Sequence, residues 1–374
     1  MSNQALARFT VLDLSESIAG QFCCRMMADF GADVTLVEPS GGSRIRSFAP
    51  FDPQDNNSLL FFHLNHGKKS IALDHTTEQG WNDLLNLSQT VDAIVVGTGI
   101  DRAKIAARSP GCVVALVSDF GDDGPCANWR GSEMIFQALS GMMHVNGRAD
   151  RQPLYGVGHR ASYAAGVGAY ITLLSALYAA KSTGRGQLVD LDVAMNTSSM
   201  APPSSLEFAY SGIRSPRGEE RSPFMSLECR DGWVGVWIYP HTWSPFCHAI
   251  GRPELAEDPR FSNSTIRQQH WADAKSIVQT QVASWESDAL VERLMKERVL
   301  VAKAYRALEL WDKVQHLKDR DYWGSVDTLG GKKPILGPQF RLSATPRQVT
   351  AGAPAIGSTG YSTASEISDE SKIA

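Results

Sequence analysis

The chain has 374 residues, 43% of them hydrophobic and 20% charged, with 36 Lys and Arg against 40 Asp and Glu and a formal net charge of −4. These are globular proportions, and the length suits roughly two to three domains. The near-neutral balance lacks the basic excess of a dedicated nucleic-acid binder, although a few Arg and Lys suffice for one phosphate site. Residues 164–180 form the longest apolar stretch, but Tyr, Gly, Thr and Ser interrupt it, so no membrane span is expected. Residues 1–9 carry no cationic and then apolar leader. Six cysteines, with Cys23 and Cys24 adjacent and no CxxC, give neither a disulfide framework nor zinc spacing. Reduced thiols and a cytoplasmic location are the expectation.

In chain order, 9–14 (FTVLDL) is a short apolar run with β-branched members and reads as a strand. A helical apolar spacing over 19–30 follows, stopped at Gly31 and Ala32. Residues 33–37 (DVTLV) read as a second buried strand, so the chain opens with a βαβ unit. Further strands are expected at 70–73, 93–96, 112–117 and 188–193, with helices at 80–88, 135–143 and 164–180. The alternation predicts an α/β fold with an open, Rossmann-like parallel sheet, whose ligands sit beyond the carboxyl ends of the strands.

Pro202-Pro203 and the Arg-, Gly- and Pro-rich stretch 214–223 read as linker or mobile loop. Beyond them 232–239 (GWVGVWIY) alternates like a strand, 242–250 reads as a helix, and 266–282 and 288–297 read as amphipathic helices. The expected organisation is a large α/β domain over 1–210, a smaller α+β domain over 225–330, and a segment over 331–374 that returns to the large domain. The tail, 362–374, is Ser- and charge-rich and expected to be poorly ordered.

No Walker A, GxGxxG, HExxH or GxSxG motif is present, and no metal site is expected. Gly97-Thr98-Gly99 is too short for a nucleotide fingerprint, and His144 and His159 are isolated. Two basic clusters stand out. Glu38-Pro39-Ser40-Gly41-Gly42-Ser43-Arg44-Ile45-Arg46 follows a strand and offers a Gly-Gly turn with two guanidinium groups. Asn65-His66-Gly67-Lys68-Lys69-Ser70 precedes one. Both read either as solvated loops or as joint holders of a polyphosphate.

At these residues the chain resembles the class III CoA-transferases, a group that includes carnitine-CoA transferase, formyl-CoA transferase and α-methylacyl-CoA racemase. The resemblance runs in order through VLDLSESIAG (11–20), ADFGADVTLVEP (28–39), NHGKKSIALD (65–74), FGDDGP (120–125), FQALSG (136–141), TGRGQLVD (183–190), AIGRPELAEDPRF (249–261) and GPQFRLSATP (337–346). It implies a large α/β domain with a small domain, interlocked dimers, and coenzyme A or an acyl-CoA as substrate beside a carboxylic acid. It also implies Arg44, Arg46, Lys68 and Lys69 as candidates facing the CoA phosphates.

The resemblance also exposes departures. Such transferases use an Asp nucleophile in a pattern like Asp-Tyr-x-x-Gly, upstream of Thr-Gly-x-Gly-Gln. Here the pattern reads Ser162-Tyr163-Ala164-Ala165-Gly166, upstream of Thr183-Gly184-Arg185-Gly186-Gln187. A serine hydroxyl does not replace a carboxylate in anhydride chemistry. The racemases need a His as well as that Asp, in a Gly-His-Asp pattern; here the segment reads Gly131-Ser132-Glu133, so both members of the acid/base pair are missing. Glu133 keeps the acid, either as a reacting group or as a helix-terminal carboxylate with Ser132 as cap. The Asn-Arg-x-Lys pattern has His66 for Arg, Gln21 replaces a Pro, and the loop at 97–105 looks short.

Three functions follow. The chain is a CoA-transferase with an altered centre built from Ser162, Glu133 or His159. Or it is a non-catalytic subunit, forming a homodimer or a heteromer with an Asp-bearing paralogue. Or it is a repurposed acyl-CoA-binding or isomerase protein on the same fold. No nucleic-acid or membrane partner is expected.

Overall fold

A computed structural model describes residues 4–200, 204–213, 217, 223–328, 330–349 and 351–360. Six strands form one parallel sheet: β1 (Thr10–Leu14), β2 (Asp33–Glu38), β3 (Lys69–Ala72), β4 (Ala93–Val96), β5 (Val113–Ser118) and β6 (Leu188–Asp192). Their order is 3-2-1-4-5-6, a doubly wound sheet that reverses direction between β1 and β4.

The central strands β4 and β5 are nearly all apolar and buried throughout, because both faces are covered there. Val11, Val34, Leu36, Val95, Val113 and Ala115 belong to the core on one face, with Phe22 and Met26 of α1 (Ile18–Asp29) and Leu64 of α2 (Leu59–Asn65). Leu12, Leu14, Val37, Ile94, Val96 and Val114 point to the other, against Leu84 of α3 (Glu78–Ser88) and Ile105 of α4 (Arg102–Arg108). The period of two along each strand decides which residue meets which layer.

After β5 come the short helices α5 (Glu133–Leu139) and α6 (Met142–Val145), then the 24-residue α7 (Arg160–Thr183). By length and composition α7 could cross a membrane. Here Ala165, Ala169, Leu173 and Leu177 join the sheet core. Gly166 lets α7 close on α1, since a Cβ there would lie 2.8 Å from the Ala19 carbonyl oxygen and 2.9 Å from the Phe22 ring.

The chain divides into two compact units, 1–142 with 155–202 and 321–374, and 143–154 with 203–320. Residues 143–154 thus group with the second unit, and the return to the first begins at Asp321 rather than at the expected 331. Pro202-Pro203, most of 214–223 and the 362–374 tail lie outside the described residues.

The second unit holds an antiparallel sheet, β7 (Phe224–Cys229), β8 (Gly232–Trp237) and β9 (Leu300–Lys303). Its core gathers Met225, Val234, Phe246, Val278, Leu290 and Leu294. The single helix expected at 266–282 is two, Ser264–Gln269 and Trp271–Val282, parted at His270. In the return segment, β10 (Gly324–Thr328) pairs antiparallel with β11 (Gly331–Ile335), and Phe340 stacks on Phe30 with ring centroids 4.4 Å apart.

Candidate active site

The crevice of a doubly wound sheet opens where strand order reverses, here between the loops that follow β1 and β4. The first, Ser15-Glu16-Ser17, leads into α1, where the Ser17 hydroxyl accepts the Gly20 N–H at 3.0 Å. The second, Gly97-Thr98-Gly99-Ile100, leads to Asp101, which caps α4 by accepting the Lys104 N–H at 3.0 Å.

Below the first loop lies a closed polar network. Lys68 Nζ donates to Asp13 Oδ2 at 2.8 Å, to the Gln21 carbonyl at 2.8 Å and to Asn65 Oδ1 at 2.9 Å. Its three N–H bonds are spent inside the fold. Asp13 Oδ1 takes the Ser15 hydroxyl at 2.6 Å, and Gln21 Nε2 donates to the Ser43 hydroxyl at 3.0 Å.

Arg46 is also committed. Its Nε and Nη2 donate to the two Glu38 oxygens at 2.8 and 2.7 Å, Nη2 also reaches the Pro354 carbonyl at 3.0 Å, and the guanidinium lies 3.8 Å above the Phe61 ring centroid. Burial pushes the Glu38 carboxyl up, but hydrogen bonds from Arg46, Ser70 and Ser43 outweigh it and hold the group below the usual range.

Lys69 pairs with Asp33 at 2.7 Å, both at the first residues of their strands and so at the amino edge, opposite the crevice. The four cations expected to meet one polyphosphate therefore do not converge. Lys69 and Arg44 are both exposed, but of the four only Arg44 lies beside the start of α1, its Nε donating to the Glu16 carbonyl at 2.9 Å. Residue types gave no sign of this, because the acceptors lie up to 308 positions away.

The second part of the site is built at the start of α7. Ser132 holds the N-cap position of α5 without a side-chain capping bond. Glu133 instead reaches across to α7, where Oε2 accepts the Ala161 N–H at 2.9 Å and Oε1 the Ser162 N–H at 3.0 Å. His159, at the N-cap position of α7, makes no capping bond with its side chain, so Glu133 serves that end. Two amide donors and the amino-terminal end of a 24-residue helix therefore face this carboxylate. The sequence pairing of Glu133 with Ser162 becomes a contact in space.

Tyr163, the residue after Ser162 on α7, has aromatic neighbours. Tyr163 stands edge-on to Phe22 at 4.7 Å, and His159 and His63 lie 6.2 and 6.0 Å from it. Burial, then the charges of Arg25 and His66, lower His63 to about 3, so its imidazole is neutral. Sequence reading passed over His63, Phe22 and Arg25; the only signal was the His63–His66 spacing at the end of α2.

Comparison with known proteins places this geometry. The family model described as CoA-transferase family III matches residues 6–359. Succinyl-CoA:mesaconate CoA-transferase of Haloarcula hispanica is 28% identical, over 94% of this chain and 92% of that protein. Succinyl-CoA–D-citramalate CoA-transferase of Chloroflexus aurantiacus is 29% identical, over 93% and 90%. A CAIB/BAIF family protein from Brucella suis, 22% identical, superposes with a TM-score of 0.85 over the full length of both chains and shares the fold. With matching segments in order from the first strand to the return segment, on the fold that they share, the chain belongs to CoA-transferase family III.

Proposed function

We propose that the chain transfers CoA from an acyl-CoA to a carboxylic acid at the carboxyl edge of its parallel sheet, with Glu133 as the reacting carboxylate. The observation that carries this is the position of Glu133, an acid held by the Ala161 and Ser162 amides at the head of α7. Related proteins are named for transfer between succinyl-CoA and mesaconate or D-citramalate, and between formyl-CoA and oxalate, which supports a dicarboxylic acid as acceptor.

One Glu133 oxygen attacks the donor thioester carbonyl, the C–S bond breaks, and a mixed anhydride and CoA thiolate form. The thiolate attacks the glutamyl carbonyl, releasing the donor acid as its carboxylate and leaving a glutamyl-CoA thioester. The acceptor carboxylate attacks that thioester, forming a new anhydride and freeing the thiolate. Attack of the thiolate on the acceptor acyl carbon yields the new acyl-CoA and restores Glu133. Arg44, exposed beside α1, takes a CoA phosphate.

With succinyl-CoA and a panel of dicarboxylic acids, Glu133→Gln should lose at least about 10³-fold in kcat, while Ser162→Ala stays within a few-fold. Retained turnover in Glu133→Gln would overturn the assignment. A second reading rests on Ser162 and on both Glu133 oxygens being held by amides: a non-catalytic subunit. It predicts that turnover appears only on mixing with an Asp-bearing paralogue.

Ile171 and Tyr178, 58% and 77% exposed on α7, form an apolar stripe suited to a second chain. A homodimer in sedimentation of the isolated chain is the expected state.

A further inference from the structure

Arg25 on α1 is wholly buried, yet Nε, Nη1 and Nη2 have no hydrogen-bond partner among the described residues. A guanidinium carries five donors and keeps its charge, so this is an expensive arrangement unless something is bound there. Among the described residues its ion-pair partner is Asp29, with 3.6 Å between Nη1 and Oδ2 and no hydrogen bond.

Asp29 is already claimed. Arg347 Nη2 donates to its Oδ1 at 3.1 Å, Arg347 Nε lies 3.0 Å from Oδ2, and His66 Nε2 lies 3.3 Å from Oδ1. Two guanidinium groups thus share one carboxylate. Burial lowers both His63 and His66, and both are neutral at pH 7. Burial also keeps the Tyr163 and Tyr170 hydroxyls protonated. The cluster retains one uncompensated positive charge.

The Phe22 ring covers one face of Arg25, 4.7 Å from the guanidinium carbon, which leaves the in-plane donors for a ligand. Planar bidentate donation is the geometry that suits a carboxylate, and one charge matches a monoanion better than a phosphate dianion. Arg347, which shares the Asp29 carboxylate with Arg25, also lines a cleft of about 630 Å³, with Tyr322, Ser325, Arg341 and Ser343. We infer that Arg25 and Arg347 form a binding site for the carboxylate group of a small anion, reached through this cleft. Glu133 is not one of its ligands, and the inference stands whether or not CoA transfer does.

The test replaces sodium chloride stepwise by sodium formate at constant ionic strength and pH 7.5, without CoA, and reads the melting temperature of the full chain. Wild type should rise saturably by about 2–5 °C, with sulfate giving less. Arg25→Met should show no response to formate, and Glu133→Gln should respond as wild type does. Equal responses in Arg25→Met and wild type, or loss of the response in Glu133→Gln, would overturn the site. Should Arg25→Met fail to fold, calorimetry on wild type and Arg347→Lys decides. One saturable formate per chain, weakened at least tenfold in the variant, is expected, and no saturable heat with wild type refutes it. A melting temperature that rises with protein concentration and ignores formate would also refute it, pointing to a carboxylate from a second copy.

Discussion

The Lys68 ammonium stands 2.8 Å from the Asp13 carboxylate, and both side chains are shut off from solvent beneath the loop that opens the crevice. A cation in that position holds β1 to the segment entering β3 and has no N–H left for a phosphate. Lys68→Met leaves the buried Asp13 carboxyl without its ion-pair partner. Breaking a buried pair in this way costs about 3–5 kcal/mol, and the urea midpoint should fall accordingly. A variant of unchanged stability and weakened acyl-CoA binding would show that Lys68 is a ligand instead.

The two arginines of the loop after β2 should separate cleanly. Arg44→Ala should raise KM for acyl-CoA several-fold and leave stability within about 0.5 kcal/mol, as for an exposed side chain. Arg46→Ala removes both Glu38 contacts and the Phe61 contact, and should cost about 1–3 kcal/mol in chemical denaturation.

His63 gives stability a pH dependence of known sign. Its folded value of about 3 lies below the unfolded value near 6.5, so between the two the unfolded chain binds the extra proton. Stability is therefore full above about pH 6.5 and declines as pH falls toward 3, by up to about 1.4 kcal/mol per unit. His66 and Asp29, both lowered in the fold, act in the same direction. His63→Phe preserves the ring packing and should flatten the pH 4–6 slope of unfolding free energy. An unchanged slope would remove His63 as its source.

Gly186 closes the turn between α7 and β6. A Cβ there would lie 1.9 Å from the Cys112 carbonyl oxygen, a backbone atom that moves only with β5. Gly186→Ala should destabilise by about 1–3 kcal/mol, the cost of overpacking, read as a lower melting temperature.

Ser162→Asp would add a second carboxylate at the residue whose backbone N–H donates to Glu133. With this second carboxylate added to Glu133, turnover should rise at least tenfold over wild type. Intact-protein mass spectrometry should then find a CoA adduct on residue 162. A turnover no higher than that of wild type would show that residue 162 is not where the chemistry is limited.

Local pattern made much of this molecule legible. Short β-branched runs, helical apolar spacing and glycine stops placed the six strands to within a residue or two, because strand and helix periods are written in neighbouring positions. The matched segments carry the family, and Glu133 and Ser162 stand out in the sequence, though their contact does not. β7, β9 and the β10–β11 hairpin went unread, since their buried positions are interleaved with charge and Gly.

The basic residues mark the boundary. From the chain alone, Arg44, Arg46, Lys68 and Lys69 are equivalent cations in two loops. Only the tertiary structure brings Glu38 and Pro354 to Arg46, Asp13 to Lys68 and Asp33 to Lys69, and leaves Arg44 in solvent. Likewise Arg25 reads as one polar position in an amphipathic helix, until Phe22, Asp29 and Arg347 enclose it. Sequence determined the strands, the helices and the kinds of chemistry available. Folding decided which charges were neutralised inside and which remained for a ligand, because a charge is matched by neighbours in space, and most of those lie far away along the chain.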